Sequence, residues 1–457
     1  MRTKTPGPWA ALLLCLTSAA PAQDPGGGDP APRPTARPLA APTDAARAVP
    51  AGAIPAGTQA RSAVRPSPRP AQAAPSAPTQ IVLPDVAGWL AQARPRALAA
   101  GIDAAVFDAA AATVRPLPDV VRRDRNQSEF TKTLWAYLDT AVSDLRVANG
   151  RAALSRHRDA LDAIEARHGV PAEVVTAIWG LESAYGTFKG DVPTLSALAT
   201  LAAEGRRASF FGAQFEAALR ILAAGDVTPG GMTGSWAGAM GHTQFMPTSY
   251  LDHAVDHDGD GRRDVWGDDP TDALASTAAY LAGFGWRTGE PWGMEVRVPD
   301  GFDYALTGAD KPRTAAEWSE LGVTRHDGSA LPANDRVALI APGGHGHTVI
   351  ARYPNFQVIE RYNPADAYVI GVGHLADRIA GGAPLQSGWP QDDRALTYDE
   401  RVEMQRLLTR RGFDPGGVDG RLGPLTLAAI QRWQASEGLV PDGYLGPALL
   451  ARLRRSG

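Results

Sequence analysis

The sequence predicts a mainly α-helical protein of the α+β class, with a large helical domain, a small β-containing insert and a terminal three-helix module. Three observations lead to this prediction. Apolar residues recur at helical spacing from about residue 81 to residue 224. Between residues 291 and 363 shorter alternating runs replace that spacing, which is typical of strands. The last part of the chain repeats one turn-and-helix unit, at Asp419–Pro424 and again at Asp442–Pro447.

The composition is that of an ordinary soluble globular protein. The chain has 457 residues, which is enough for two or three domains. Hydrophobic residues make up 44% and charged residues 21%, so a sizeable core can form. The formal net charge of −4 gives no reason to expect nucleic acid as a partner.

The first 22 residues have the organisation of a secretory signal peptide. Arg2 and Lys4 precede an apolar stretch from Ala10 to Leu16, and Ala20-Pro21-Ala22 forms a small-residue cleavage pattern. The apolar stretch is too short to anchor the chain across a bilayer. We therefore expect export to the periplasm, cleavage after this pattern, and no transmembrane segment in the mature chain.

The single cysteine allows an alternative mode of export. Cys15 lies inside the apolar stretch, and in a lipoprotein it would become the acylated first residue. However, Leu14 precedes it, where lipoprotein signals normally have a small residue. We favour the secreted form, whose mature chain has no cysteine and must be held together by its core alone.

Composition also divides the rest of the chain. Residues 23–80 are dominated by Pro, Ala, Gly, Arg and Thr, and should form a disordered tether because they cannot bury a core. We expect the large domain over residues 81–380. Residues 381–397 are again rich in Gly, Pro and Gln and form a second linker, and residues 398–457 form the terminal module.

Apolar stripes place the helices of the large domain. Apolar side chains three or four positions apart predict an amphipathic helix, and proline in a first turn or glycine after a last turn marks its ends. We expect helices that include Val86–Leu90, Phe130–Val142, Pro171–Ala184, Leu195–Leu201, Phe215–Leu222, Asp272–Phe284 and Ala365–Ile379. Val337–Ile340 and Phe356–Ile359 are the clearest candidate strands of the insert.

Glu182 is the candidate general acid. On a helix from Pro171 it follows Trp179 at the edge of the apolar stripe, and Gly186 turns the chain away soon afterwards. A carboxyl group partly removed from water in this position would have a raised pKa and could donate a proton at neutral pH. Alternatively, Glu182 is a solvated helix-end residue or pairs with Lys189, and spacing alone favours this plainer interpretation.

A second candidate segment runs from Gly231 to Ser249. It combines many glycines and small polar residues with large apolar ones, including Met240 and Phe245. This mixture is poor as a regular helix and too apolar for a solvated linker. It indicates backbone that bends closely around a ligand, with Ser235 and Gln244 as polar contacts.

An acidic loop follows, and its pattern is that of the first part of a calcium-binding EF-hand loop. The candidate ligands are Asp256, Asp258, Asp260, the carbonyl of Arg262, and Asp272. Gly267 stands where the EF-hand has its closing glutamate, so Asp268, Asp269 or Asp272 would complete the shell after a longer excursion, and we favour Asp272. We expect structural calcium, and the alternative is a solvated turn rich in Asp and Gly.

Together these segments resemble the B-type lytic murein transglycosylases, whose catalytic core is related to goose-type lysozyme. The matching segments are Gly169–Pro171, Trp179–Gly186, Thr194–Leu198, Gly234–Gly241, Gln244–Pro247, Ser249–Tyr250, Ala254–Asp256, Asp272–Leu274, Ser276–Tyr280, Asn355–Phe356 and Arg361–Asn363. The terminal module resembles the small peptidoglycan-binding domain in Leu407, Gly412, Trp433–Gln434, Gly438–Leu439 and its two Asp-Gly turns.

The resemblance implies a lysozyme-like helical catalytic domain and a carbon–oxygen lyase that acts on peptidoglycan glycan strands. Such an enzyme cleaves the β-1,4 bond between N-acetylmuramic acid and N-acetylglucosamine and leaves 1,6-anhydro ends. Glu182 would act first as acid on the bridging oxygen and then as base on the C6 hydroxyl, without a second catalytic carboxylate. The chemistry would require no cofactor, and we expect a monomer.

The resemblance also implies a set of substrate contacts. Ser235 and Gln244 would bind the sugar or orient Glu182, and Met240 and Phe245 would form walls. The full set is Ser235, Met240, Gln244, Phe245, Tyr280, Asn355, Tyr362 and Asn363. Spacing alone would make the two tyrosines packing residues.

Two other functions remain open from the sequence. A hydrolase of the same bond would need a second carboxylate at a fixed separation or a positioned water. A non-catalytic wall-binding protein would leave Glu182 without a chemical role.

Overall fold

The computed structural model describes residues 83–125 and 132–455. The predicted signal peptide, the predicted tether and Phe130 lie outside these residues. Within the described residues, no helix combines the length and the hydrophobicity needed to cross a bilayer.

The described residues are mainly helical, which confirms the predicted class. The helices are α1 (Val86–Ala99), α2 (Ala104–Thr113), α3 (Pro118–Arg125), α4 (Leu134–Ala141), α5 (Asp144–Arg156), α6 (Arg158–His168), α7 (Ala172–Ser183), α8 (Thr194–Glu204), α9 (Ala208–Ala224), α10 (Pro247–His253), α11 (Thr271–Gly283), α12 (Ala315–Glu320), α13 (Pro354–Tyr362), α14 (Asp366–Ile379), α15 (Tyr398–Arg410), α16 (Pro424–Ser436) and α17 (Pro447–Arg455). A short 3₁₀ helix spans Tyr304–Leu306.

Two small sheets complete the architecture. Strands β1 (Val192–Pro193) and β2 (Thr233–Gly234) pair antiparallel beside the glycine-rich segment. The insert contains β3 (Gly293–Val296), β4 (Ala338–Ile340) and β5 (Val349–Arg352), with β5 in the centre of an antiparallel sheet. Along the chain, the insert with its sheet lies between α11 and α13.

Helix α7 is the centre of the large domain. From Ala172 to Ser183 its residues are buried except Glu173, and it packs against α14, α5 and α11. A helix that is apolar on nearly every side must lie inside a core. Its last turn is therefore held on all sides, and that turn carries Glu182.

One predicted strand is wrong, because Phe356–Ile359 lies within α13. Pro354 occupies the first turn of this helix, where its fixed φ and missing N–H are tolerated. The buried Phe356 and Ile359 are three residues apart, which is helical spacing. The short run was misread because Phe356 and Val358 also alternate.

The predicted linker at residues 381–397 lies against the large domain. The backbone N–H groups of Gln386 and Ser387 donate to the carboxylate of Glu295 at 2.7 and 2.8 Å. The indole of Trp389 stacks on Trp135 with ring centroids 6.3 Å apart. These contacts hold the backbone of a segment whose composition alone predicts a flexible linker.

The terminal module, α15 to α17, has its own small core and also contacts the insert. The buried amide of Gln431 on α16 donates to the carbonyl oxygens of Tyr304 and Thr307 at 3.1 and 3.3 Å. Lys311 donates to the oxygen of the same amide at 2.9 Å. The module is thus hydrogen-bonded to the insert through this buried side chain and also through Asp442, whose Oδ2 accepts from His345 N at 2.9 Å.

Candidate active site

The catalytic helix candidate, α7, ends in a strained turn directly after Glu182. Ala184 and Tyr185 have φ angles of 49° and 59°, and Gly186 follows with 83°. Left-handed conformations cost non-glycine residues free energy, so other contacts must hold them. Tyr185 Oη donates to the Arg146 carbonyl at 2.8 Å, and Gly186 N donates to Ser183 Oγ at 2.9 Å. The helix therefore ends one residue earlier than predicted, at Ser183.

Glu182 lies in a buried and weakly polar environment. The residue is only 9% exposed, and its Oε1 accepts a hydrogen bond from Tyr368 Oη at 2.6 Å. Burial raises the pKa of Glu182 to about 7, and the hydrogen bond from Tyr368 partly opposes this rise. Lys189 instead donates to the carbonyl oxygens of Trp266 and Gly267, so the predicted alternative of a Glu182–Lys189 pair is not observed.

Aromatic side chains form the surroundings of this carboxyl group. The rings of Tyr362 and Tyr368 are nearly parallel, 8° apart, with centroids at 6.4 Å. Phe245 contacts the rings of Tyr280 and Tyr362, with centroid distances of 5.8 Å in both pairs. The structure thus brings three of the predicted site residues, Phe245, Tyr280 and Tyr362, together next to Tyr368.

The two tyrosine hydroxyls in this cluster are held by the backbone. Tyr362 Oη donates to the Thr243 carbonyl, and Tyr280 Oη donates to the Arg361 carbonyl, both at 2.6 Å. Such bonds satisfy a buried hydroxyl and fix the plane of its ring. The cluster therefore offers rigid ring faces at positions set by α11 and α13.

The glycine-rich segment folds back on itself. Met240 and Phe245 exchange backbone hydrogen bonds at 2.8 and 3.1 Å, and Ser235 N donates to the Ala239 carbonyl at 2.7 Å. Ser235 Oγ accepts from Ala239 N at 3.1 Å. Met240 is fully buried in this fold, and its role as a wall of the site stays a prediction.

Gln244 takes an unusual backbone conformation within this fold. Its φ is 55°, and its Nε2 donates to the carbonyl oxygens of Lys189 and Gly241 at 2.9 and 2.8 Å. Gly241 allows the close approach, because a Cβ there would lie 2.0 Å from the carbonyl oxygen of Val265. The amide of Gln244 thus joins the glycine-rich segment to the loop that follows α7.

His242 has no catalytic role predicted from the sequence, and in the structure it connects the same elements. Its Nδ1 accepts from the Trp179 indole at 3.2 Å, and its Nε2 lies 2.9 Å from the Gly267 carbonyl. Burial lowers the pKa of His242, so the neutral imidazole is present at neutral pH. With Nδ1 as acceptor, Nε2 carries the proton and donates to Gly267.

Two further predicted contact residues, Asn355 and Asn363, make hydrogen bonds with nearby backbone groups. Asn355 is 0% exposed; its Oδ1 accepts from Arg287 N, and its Nδ2 donates to the carbonyl oxygens of Arg287 and Glu290. Asn363 Oδ1 accepts from Ala365 N at 3.1 Å, in the turn between α13 and α14. The Asn355 amide therefore has a structural role in place of the predicted substrate contact, whereas the substrate contact of Asn363 stays a prediction.

Replacement of Asn355 by alanine is expected to lower the free energy of unfolding by about 1–3 kcal/mol, because it leaves partly buried backbone groups of Arg287 and Glu290 unpaired. Denaturant unfolding measures this loss. The KM for glycan should stay unchanged at a temperature where the variant is folded. A raised KM with an unchanged free energy of unfolding would instead support the predicted substrate contact of Asn355.

The acidic loop brings three of its predicted ligands together. Carboxylate oxygens of Asp256, Asp258 and Asp260 lie within 4.8 Å of one another, and the last two residues are exposed. Among the residues that the structure describes, none of the three forms a salt bridge. Close carboxylates repel unless a cation lies between them, and oxygen donors of this kind suit Ca²⁺.

Asp272, which we expected to close the metal shell, lies outside this cluster. One of its oxygens accepts from the backbone N–H groups of His257 and Asp258, and the other accepts from Asp264 N at 3.0 Å. Its buried carboxylate therefore stabilises the backbone conformation of the acidic loop. The carbonyl of Arg262 remains a candidate ligand by its place in the pattern.

Comparison with known families matches two segments of the chain. Residues 85–377 match the Transglycosylase SLT domain, and residues 397–453 match the peptidoglycan binding domain. The first match spans more than half of the chain, and both agree with the helical and module regions described above.

Two solved structures and one further relative are also similar to this chain. SltB3 of Pseudomonas aeruginosa, in complex with NAG-anhNAM-pentapeptide, is 48% identical with a TM-score of 0.78, over 81% of this chain and 99% of that chain. Slt35 of Escherichia coli, in complex with calcium, is 28% identical with a TM-score of 0.55, over 65% of this chain and 93% of that chain. Membrane-bound lytic murein transglycosylase B of Escherichia coli strain K12 is 32% identical over 251 residues, which is 53% of this chain and 66% of that protein, slightly less than two thirds of its length.

Proposed function

Because the chain belongs to the Transglycosylase SLT family of peptidoglycan-cleaving lyases, we propose that Glu182 serves it first as general acid and then as general base. The observation that carries this proposal is the buried carboxyl group of Glu182, whose pKa of about 7 keeps much of it protonated at neutral pH. An acid of this strength can protonate an ether oxygen and later accept a proton, since both forms are accessible.

The proposed reaction breaks the bond between N-acetylmuramic acid and N-acetylglucosamine. Glu182 donates its proton to the bridging oxygen, and the substrate's own N-acetyl group meets the positive charge that develops on the sugar. The carboxylate then takes the proton of the C6 hydroxyl, whose oxygen closes the 1,6-anhydro ring. Water takes no part, so Glu182 ends the cycle protonated as it began.

A lone carboxyl group favours the lyase over a hydrolase of the same bond. Paired-carboxylate glycosidases hold their two groups about 5–9.5 Å apart. Burial and the hydrogen bond from Tyr368 account for the raised pKa of Glu182, and no second carboxylate of the described residues is among its causes. The anhydro sugar named in the ligand of the Pseudomonas relative supports the same choice.

Mass spectrometry of digested sacculi tests the reaction directly. The lyase yields glycan ends lighter by one water than the reducing ends that a hydrolase yields. We expect the lighter ends to account for essentially all new termini. Reducing ends as the main product would favour the hydrolase.

We propose that the aromatic cluster and the glycine-rich segment bind the glycan. Phe245, Tyr280 and Tyr362 offer ring faces for the sugars, and Gln244 and Ser235 lie at the turn of the glycine-rich segment.

The catalytic domain is assigned to residues 81–380, the linker to 381–397 and the peptidoglycan-binding module to 398–457. The enzyme acts in the periplasm as a monomer, after removal of residues 1–22.

We propose that the acidic loop binds structural calcium through Asp256, Asp258, Asp260 and the carbonyl of Arg262. The convergence of three carboxylates supports this, as does the calcium complex of the Escherichia coli relative. The ion would neutralise the loop and stabilise the fold, and it supplies no step of the reaction.

Addition of Ca²⁺ to the metal-free protein is expected to raise Tm, with a stabilisation of about 2.7 kcal/mol when calcium reaches one hundred times its Kd. Scanning calorimetry measures the shift. The Asp258→Asn variant should lose most of it, whereas Asp252→Asn, an exposed position just before the loop, should keep it. Equal shifts in the two variants would place the ion elsewhere.

A further inference from the structure

A cavity lies away from Glu182, at the other end of the α7–α14 pair. Its volume is about 620 Å³, and its walls come from the start of α7, the end of α14, the insert and the linker. Asp377 lies nine residues after Tyr368 on α14, which corresponds to about 14 Å along the helix axis and about two and a half turns. The cavity therefore faces the opposite side of α14 from the tyrosine that contacts Glu182.

His374 and Asp377 present unused hydrogen-bonding atoms to this cavity. His374 is only 7% exposed, lines the cavity, and makes no hydrogen bond with any described residue. Asp377 lies three residues later, on the same face of the helix. Its Oδ2 accepts from the Trp292 indole at 3.1 Å, which leaves Oδ1 available.

The groups of this cavity that have no partner among the described residues offer hydrogen-bond acceptors, and their net charge is negative. Glu173, at the start of α7, lines the same cavity and has no salt bridge among the described residues. Glu295 is already bound to His326 at 3.3 Å, and Glu290 accepts from Asn334 at 2.8 Å. The charged and titratable groups from neighbouring elements that line the same cavity as Asp377 are Glu173, Glu290, Glu295, Arg325, His326 and Asp327.

We propose that this cavity binds a primary ammonium group on an alkyl chain, such as a lysine-like side chain of a peptide. An ammonium group has three donors and no acceptor. Asp377 and the neutral imidazole of His374 offer acceptors on one face of α14, and Glu173 adds negative charge to the wall of the same cavity. Apolar side chains of the lining, including Met294 and Leu385, provide contacts for the alkyl chain. A carboxylate or phosphate ligand would meet the same acceptors with repulsion.

Binding of such a ligand should depend on pH through Asp377. Burial raises the pKa of Asp377 to about 7 and lowers that of His374 to about 4, so Asp377 titrates near neutrality while His374 stays neutral. Only the carboxylate form of Asp377 attracts an ammonium group. Affinity should therefore increase as the pH rises through 7, and should fall about tenfold between pH 8 and pH 6 as the ionised fraction falls.

The test titrates the full chain with Nα-acetyl-lysine methylamide and follows the indole N–H resonance of Trp292, identified with Trp292→Phe. We expect saturable shifts at pH 8, about tenfold weaker binding at pH 6, and no binding of the Nε-acetylated analogue. Asp377→Asn should weaken binding at pH 8 by about tenfold and remove its pH dependence, which separates Asp377 from His326.

Glu182→Gln should bind the probe like the native protein, so the result is independent of the proposed reaction. Equal binding of the Nε-acetylated analogue, an unperturbed Trp292 resonance, or affinity that is constant between pH 6 and pH 8 in the native protein would each overturn the proposal.

Discussion

Replacement of Glu182 by glutamine is expected to reduce glycan cleavage by about 10²–10⁴-fold, the usual contribution of a general acid–base residue. Glutamine keeps the shape of the side chain and can still accept from Tyr368 Oη, but it can neither donate the proton to the bridging oxygen nor take one back. Release of soluble fragments from sacculi measures the loss. Binding to sacculi, followed by pelleting, should be retained.

The same variant has an expected effect on stability that serves as its control. The pKa of Glu182 is raised from 4.5 to about 7 in the folded protein, so the folded state holds the proton more tightly than the unfolded chain does. This proton contributes stability at low pH, and the contribution is lost as the pH rises through about 7. Glu182→Gln should therefore match the native protein at pH 5 and exceed its Tm at pH 8.5.

The two measurements separate the competing functions. Unchanged clearance of sacculi by Glu182→Gln would remove Glu182 from the chemistry and leave room for a non-catalytic wall-binding role. A Tm that differs from the native value at pH 5 would point to a packing defect, so that lost activity would no longer report on proton transfer.

The shielded position of Glu182 could be predicted from the sequence because its signals are local, whereas its chemical role rests on the family resemblance and stays a prediction. The apolar stripe of α7, the nearby indole and the glycine after the helix all lie within about fifteen residues, and each has a direct physical meaning. The convergence of Asp256, Asp258 and Asp260 could be predicted for the same reason, because a tight loop brings alternating side chains together. Short-range geometry follows from spacing.

Tyr368 could not be found in this way, because it lies 186 positions from the carboxyl group it contacts. No periodicity within α14 distinguishes this tyrosine from a packing residue; only the packing of α14 on α7 does so. Asn355 is the reverse case, because the sequence predicts a substrate contact and the structure shows a side chain that is bonded to the backbone. It lies in a matching segment, but its amide is fully used by the Arg287–Glu290 turn, a pairing that spacing does not reveal.

Replacement of Tyr368 by phenylalanine should alter both the rate and the pH at which the enzyme works. The hydroxyl donates to Glu182, and this hydrogen bond lowers the pKa of a carboxyl group that burial has raised. Without it the pKa of Glu182 rises further, so the decline of activity toward high pH should begin at a higher pH than in the native enzyme.

The maximal rate should fall about tenfold or more, because a hydrogen bond to an ionisable group contributes about 1.5–3 kcal/mol and also orients the carboxyl group. A pH series of kcat on a soluble glycan measures both effects. Tyr353→Phe is the matched control, since it removes a tyrosine hydroxyl bonded to the Pro332 carbonyl in the insert. That variant should keep the native pH profile. If Tyr368→Phe instead shifts the decline to lower pH, then Tyr368 stabilises the protonated acid, and the role we give to its hydroxyl is wrong.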